Sequence, residues 1–501
     1  MNSSLIEQLE CLFNPKSIAV VGASNDFTKW GNDVFTQVMS TTADRKVYPV
    51  NNRSPEILGI NAFKNVKEVP DSLDFVAIVV PYTQVTSIMR DCVEKGVKTA
   101  LIISAGLKEA GEEGAKIQDE ISRIAKEGSV RFVGPNCMGH FNTAADLCTM
   151  RRGISYKKGP IGLISQSGGF AWQILEAGFE SGIGFSKCVS SGNEADLHFE
   201  DYLEYLAQDE ATKVIVGYIE GLREGERFLK LAKEITKRKP VVVMKVGRTP
   251  TGAEAAKSHT AAISGEDAIY GTALNQVGVI RVDEIHEIFD VAAALLRQPL
   301  PRGRKVGILT AGGGHGVVTT DACEMAGLEI PPLSQNIIDK LDQILPQRWP
   351  HANPIDTVAA DRVAYPCFWP LLEDETIDAI LVVGIIGQAS MWGAARLASI
   401  PLSAREQARR HYKTAEKEEL ENLDRVFELM ERYQKPIIVC NMFASVLKDS
   451  PVFDKLRENG IMVYPTPERA VKVLAHLADY SEYLDKQLSV VSYRNTKEFR
   501  L

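Results

Sequence analysis

The sequence predicts an α/β protein built on parallel sheets, and three observations predict it. Short β-branched runs alternate with longer amphipathic stretches from end to end, many of these runs stop at a glycine turn, and two long stretches of the chain resemble each other. Continuous apolar strands alternating with helical patterns are what a sheet covered on both faces requires. Strands are expected at 18–21, 46–50, 75–80, 100–104, 131–133, 161–165, 214–219, 241–245, 306–310, 379–383 and 437–440, with helical patterns such as 85–94 and 227–237 between them.

Bulk properties narrow the class. The 501 residues suit about three domains, and 45% hydrophobic with 24% charged residues is ordinary for a globular chain. A formal charge of −8 argues against a polyanion as the main partner, so any bound anion must be met by local donors. The eight cysteines are scattered, without C-x-x-C or zinc-like spacing, and the histidines lack metal-ligand spacing, so no metal site is expected. The first residues, MNSSLIEQLECLF, lack a basic start and apolar core, and no apolar run approaches the ~20 residues of a membrane span. A cytoplasmic protein with reduced thiols is expected.

The first segment opens with SIAVVGAS and closes with RFVGPNCMG; a charged, glycine-containing break follows at 150–159. The second and third segments read as copies. Gly162, Gly168, Gly169 and Gly182 recur as Gly307, Gly313, Gly314 and Gly327 at one constant offset, and each stretch continues into a helix and a Lys-Pro-led strand. Two copies indicate a duplicated fold rather than a solenoid. Two insertions distinguish them: the small-residue segment 247–267, GRTPTGAEAAKSHTAAISGED, and the heavily charged helical stretch 403–434, expected to be a solvated helix face. Domains are expected at 1–148, 149–298 and 299–501.

Chemistry concentrates at the strand ends. Gly22-Ala23-Ser24 can turn backbone N–H groups and a helix N-terminus toward a phosphate. The strand ending at Asn51, Asn52 and Arg53 lacks the acid that would hold a dinucleotide ribose, and its basic end suits a nucleotide with an extra phosphate, such as the 3′-phosphate of CoA. Val80-Pro81, Ser104-Ala105-Gly106 and Gly134-Pro135-Asn136 add three turns that a parallel sheet gathers at one crevice. Ser165-Gln166-Ser167-Gly168-Gly169 ends a strand and opens a helix, which makes an anion site, and Ser190-Ser191-Gly192-Asn193-Glu194 has the same character. His259, in a long loop rich in Ala, Gly, Ser and Thr, is a competent nucleophile at neutral pH and free to visit two places. Glu220, ending VIVGYIE, could orient that imidazole. No Walker-type loop and no complete ATP site is found.

Seven segments appear in order: FNPKSIAVVGAS, KVYPVNN, EKGVKTALIISAG, FVGPNCMG, GLISQSGG, SSGNEADL and KSHTAAISGED. From about Phe13 to Pro467 they resemble the α-subunit part of ADP-forming acetyl-CoA/acyl-CoA synthetases, in the succinyl-CoA synthetase superfamily. The resemblance implies a Rossmann-like CoA-binding domain followed by two flavodoxin-like domains. It implies that acyl-CoA and phosphate give acyl phosphate and CoA, that the acyl phosphate phosphorylates His259 with Glu220 in support, and that the histidine carries the phosphoryl group to ADP. By motif it assigns the phosphate to Ser167, Gly168 and Gly169, and CoA to Gly22, Ser24, Lys29, Asn51, Pro81, Ser104, Gly106 and Asn136. ADP/ATP with Mg2+ would sit on a separate ATP-grasp β subunit in a hetero-oligomer. Ala261 stands where the family has glycine, and His315 where proline is usual. A CoA-binding regulatory protein without turnover, or a related acyl or carbamoyl transferase, is the alternative. The acyl pocket is expected near Gly168, Gly169 and the loop Asn353–Asp356; Trp369, Met391 and Trp392 are more readily core than pocket.

Overall fold

The computed structural model describes residues 3–40, 44–254, 267–358, 364–390, 400–447 and 449–498. The chain forms two compact units, Met1–Ile288 and Phe289–Leu501. The first unit holds two large sheets and the second unit one.

In the first sheet, β1 (Ser17–Val21), β2 (Lys46–Val50), β5 (Phe75–Ile78), β6 (Thr99–Ile102) and β7 (Arg131–Val133) run parallel in the order β2-β1-β5-β6-β7. A hairpin of β3 (Glu56–Ile57) and β4 (Ile60–Asn61) follows β2. Strands β1, β5 and β6 are buried at every position, which explains why their runs are apolar without alternation. The second sheet is laid out in the same way. Strands β10 (Lys158–Ser165), β11 (Phe185–Ser190), β12 (Val214–Ile219), β13 (Val241–Lys245) and β14 (Ile280–Val282) are parallel in the order β14-β13-β12-β10-β11, with β8 (Gly139–Asn142) and β9 (Leu147–Cys148) added antiparallel at the β11 edge.

The second unit repeats the order as β16-β15-β17-β18-β19, from β15 (Val306–Thr310), β16 (Ile355–Asp356), β17 (Ala379–Val383), β18 (Ile437–Cys440) and β19 (Val463–Tyr464). In all three sheets the first parallel strand lies between the second and third. The crevice at the carboxyl ends of those strands is where doubly wound sheets take ligands. Each copy of the glycine motif leads from a central strand into a helix, Gly168–Glu180 after β10 and Gly313–Met325 after β15. The charged stretch is the helix Arg405–Tyr433, which buries Leu423, Val426 and Met430 along one face and turns most of its charges outward. Its Glu419 is buried and accepts from Tyr365 Oη and Gly387 N, each at 2.7 Å. Trp369 is partly buried against the same core, with the Arg425 guanidinium 4.8 Å above its ring. Trp392 and Met391 lie outside the described residues.

The two sheets of the first unit are joined through a shared core. The opening helix, Ser3–Phe13, buries Leu5, Leu9, Leu12 and Phe13, and Phe13 stacks on Tyr205 at 4.9 Å. Its last carbonyls accept from β8: Leu12 O is 2.9 Å from His140 Nε2, and Phe13 O takes Asn142 Nδ2–H at 3.0 Å. His140 is fully buried, with Nδ1 3.0 Å from Thr149 Oγ1, and burial pushes its pKa down to about 4, so it is a neutral structural histidine.

Gly22 ends β1 at φ +92°, and a Cβ there would lie 2.1 Å from Val79 O. Gly22→Ala is therefore expected to lose about 2–3 kcal/mol of stability, read as a lower urea midpoint at unchanged slope.

Candidate functional site

The carboxyl ends of the two sheets of the first unit face a single cavity of ~710 Å³. Its walls come from six turns: Gly22 with Thr28–Gly31 after β1, Val79–Pro81 after β5, Ile103–Ala105 after β6, Asn136–Met138 after β7, Gln166–Gly169 after β10, and Gly192–Asn193 after β11. Among the residues expected from sequence to bind ligand, Gly22, Lys29, Pro81, Ser104, Asn136, Ser167, Gly168 and Gly169 line this cavity.

Three others do not form part of the lining. Ser24 Oγ accepts Asp26 N–H at 3.1 Å and closes its own turn. Asn51 Nδ2 donates to Ala23 O at 2.8 Å while Oδ1 accepts from the N–H groups of Arg53 and Ser54, so its amide fixes the turn behind the wall. Gly106, at φ +97°, lies against the Tyr82 ring and donates its N–H to Glu109 Oε1 at 2.6 Å. In the second unit, Asn353 spends its side chain on Ile308 N, Val306 O and Pro331 O, and Asp356 Oδ1 accepts Val358 N–H.

The end of the cavity expected to take phosphate is a helix start. Ser167 is the N-cap of Gly168–Glu180, its Oγ accepting from Phe170 N at 3.4 Å. Among the described residues, nothing beyond the helix's own first turn lies within 4 Å of where a Gly169 Cβ would be, which leaves room there for a ligand. Gly168 packs on Met138, which extends the apolar part of the wall toward this end. Cationic help is local. Lys29 is in the lining, and Arg151 and Arg152 gather on the buried Asp33 at 3.3 and 2.6 Å, with Arg151 5.5 Å from the Trp30 ring centroid. Cys137 also lines the cavity, but burial pushes its thiol up to about 12, so it stays protonated and unreactive at neutral pH.

Sequence reasoning missed the polar scaffold behind these turns. Asn136, at φ +56°, donates Nδ2–H to Asn193 Oδ1 at 3.3 Å, and Asn193 donates in turn to Glu109 and Gln118. Glu220 is buried at the end of β12, with its N–H on Gln166 Oε1 at 2.5 Å. Gln166 also holds Glu194, whose carboxyl burial pushes up to about 8. Lys245, ending β13, is buried with its ammonium on Val246 O and 4.7 Å from the Tyr270 ring centroid; burial, then Arg281, push its pKa down. The signal for Glu194 was present in the SSGNEAD motif, whereas nothing in sequence connected it to Gln166. His259 and Ala261 lie outside the described residues.

A doubly wound sheet with a nucleotide-sized cavity, facing a second sheet whose helix start can hold an anion, defines a CoA-ligase type of protein. Residues 16–143 match the CoA binding domain family, and residues 158–295 match the succinyl-CoA ligase like flavodoxin domain family. The chain is 41% identical over 380 residues to the α subunit of ADP-forming acetate–CoA ligase II of Pyrococcus furiosus, covering 75% of this chain and 82% of the relative. It is 36% identical to the α subunit of acetate–CoA ligase I of the same organism, covering 95% and 99%. The dinucleotide-forming acetyl-coenzyme A synthetase 1 of Ca. Korarchaeum cryptofilum, solved with phosphate and ADP, superposes with a TM-score of 0.78 at 32% identity over 96% of this chain and 99% of that one. The chain belongs to the family of ADP-forming acetate–CoA ligase α subunits.

Glu194 carries a pH signature. Its folded pKa is raised from 4.5 to about 8, so its contribution to stability is complete below pH ~4.5 and is lost as pH climbs toward 8. Melting temperature is expected to fall less between pH 5 and pH 8.5 in Glu194→Gln than in the wild type.

Proposed function

We propose that this chain is the CoA-binding, phosphohistidine-carrying α subunit of an ADP-forming acyl-CoA synthetase. The observation that carries this reading is the single cavity onto which the turns of the CoA-binding sheet and the Ser167–Gly169 helix start both open. CoA occupies the wall made by Gly22, Lys29, Pro81, Ser104 and Asn136, with its thioester directed toward Ser167. Phosphate sits on the amides of Gly168 and Gly169, where the helix dipole favours an anion. Placing both reactants in one cavity turns a bimolecular attack into an effectively unimolecular one.

The chemistry then runs in balanced steps. A phosphate oxygen adds to the thioester carbonyl, the C–S bond breaks, and CoA leaves as a thiolate that takes a proton. The acyl phosphate is next attacked at phosphorus by a ring nitrogen of His259, and the carboxylate leaves. Glu220 holds the other ring nitrogen and stabilises the charge that the imidazole acquires. A terminal oxygen of ADP finally takes the phosphoryl group from the histidine, giving ATP. Cleavage at carbon conserves the thioester's free energy in the anhydride, and cleavage at phosphorus passes it on.

A partner subunit with an ATP-grasp fold and Mg2+ completes the reading, because the relatives the chain matches are named as α subunits. No described helix is long and apolar enough to cross a membrane. A cytoplasmic setting and the domain division 1–148, 149–298 and 299–501 belong to the same proposal.

Incubation of the purified chain with labelled phosphate and a panel of short, branched and aromatic acyl-CoAs tests it. Acid-labile, base-stable label is expected on the wild type and none on His259→Ala, with Glu220→Gln labelled about 10- to 100-fold more slowly. Absence of label with every acyl-CoA, with and without the co-purified partner, while CoA still binds, would overturn the proposal in favour of a regulatory CoA-binding protein.

A further inference from the structure

Gln166 lies one residue before the Ser167 cap and is 5% exposed. Its amide is used to capacity. Oε1 accepts the N–H of Glu220 at 2.5 Å and of Gly221 at 3.0 Å, while Nε2 donates to Gly221 O at 2.7 Å and to Glu194 Oε2 at 2.9 Å. Two backbone donors on one side and two acceptors on the other allow one orientation of this side chain. The other carboxyl oxygen of Glu194 is 2.7 Å from Ser191 Oγ, which is 3.4 Å from Ser165 O. Glu194 cannot easily withdraw. It sits at φ +50° in a turn tied to the end of the first sheet, with Asn193 N on Pro135 O at 2.9 Å and Ala195 N on Gly134 O at 3.0 Å.

We propose that Glu194 and Gln166 are positioning residues for transfer of the phosphoryl group to histidine. Glu194 holds the Gln166 amide, and Gln166 fixes both the backbone that carries Glu220 and the turn that starts the phosphate-binding helix. The inference rests on the function proposed above and deepens it. It links one buried carboxyl to the two ends of the transfer, the histidine's supporting acid and the phosphate's seat.

The charge state of Glu194 matters for this task. Burial first, and Glu200 in addition, favour its neutral form, against Ser191, Gln166 and Arg223, which favour the ion. The buried Tyr202 phenol comes from the same helix as Glu200, and Arg223 reaches Asn193 O at 3.1 Å from the turn after β12. As a neutral acid, Glu194 can donate from Oε1 to Ser191 Oγ, whose proton then points to Ser165 O. No two acceptors are left facing each other. Once ionised, it places a carboxylate on the Gln166 amide, one residue before the cap of the helix start that is to receive a phosphate anion, and a like charge there disfavours that anion.

The test follows acyl-CoA-dependent labelling of the full chain from pH 6.5 to 9.5, with CoA affinity measured in parallel. Wild type is expected to slow above about pH 8 as Glu194 ionises. Glu194→Gln, which keeps an acceptor for Gln166 and a donor for Ser191, is expected to keep labelling and to lose that decline. Glu194→Ala is expected to label about 10- to 100-fold more slowly while CoA affinity changes less than about threefold, because most of the proposed CoA wall is made by first-sheet turns and only the thiol end of CoA reaches the second sheet. The inference is overturned if Glu194→Gln keeps the wild-type decline, if Glu194→Ala labels at the wild-type rate, or if it loses CoA affinity as much as rate. Failure of the wild type to label at any pH removes the function on which the inference rests, and so overturns both. Labelling of wild type with an unaffected alanine variant overturns the inference alone.

Discussion

The first unit depends on one close approach, that of the turn after β11 to the turn after β7. Gly192 lies so near the chain at 135–136 that a Cβ would be 2.3 Å from Pro135 O and 2.5 Å from Asn136 O. Backbone bonds from Asn193, Ala195 and Leu197 to Pro135, Gly134 and Phe132 then run the two segments side by side, and Asp196 closes on Arg131 at 2.9 Å. A side chain at 192 would hold the turns apart and open the cavity to water. With the turns in contact, two parallel sheets present their carboxyl ends to the same space, which is what the proposed reaction between a cofactor on one and an anion on the other requires.

The charge distribution follows from that arrangement. A chain of net charge −8 cannot attract phosphates by its overall field, and the cavity lining offers local donors instead, the helix amides and Lys29. Groups that would interfere are kept neutral by burial. The Cys137 thiol stays protonated in the cavity wall, and the Glu194 carboxyl, held on Gln166 one residue before the Ser167 cap, is mostly neutral at neutral pH. In each case the same physical cause, loss of water around an ionised group, disfavours the reactive or repulsive form.

Much of this was legible in the sequence, because fully buried parallel strands read as continuous apolar runs. SIAVV, VIVGYI and AILVV are strands with every residue buried, and the last two have the expected boundaries while the first begins one residue earlier, at Ser17. Several short or edge strands escaped, and with them two longer ones whose polar residues are held by distant partners. Strand β8, GHFN, is buried because His140 and Asn142 bond to the end of the opening helix. Strand β11, FSKCVS, hides Lys187 at 2.8 Å from Asp209. The same limit applies to the site. Glycine turns announce themselves locally, so most of the cavity wall was named in advance. Asn51 and Ser24 carry the same local signal, and in the fold their side chains close their own turns. Gln166 and Glu194 are 28 residues apart and meet Glu220 a further 26 residues on, so their connection exists only once three strands are aligned.

The central claim is that the turns of both sheets form one CoA site whose far end is the helix start at Ser167. Hydrogen exchange of the full chain with and without CoA tests this most directly, because it reports on each turn separately. The account predicts protection together at 22–31, 79–81, 103–105 and 136–138 in the first sheet and at 166–169 and 192–193 in the second. Protection confined to the first sheet, or found away from these turns, would contradict it.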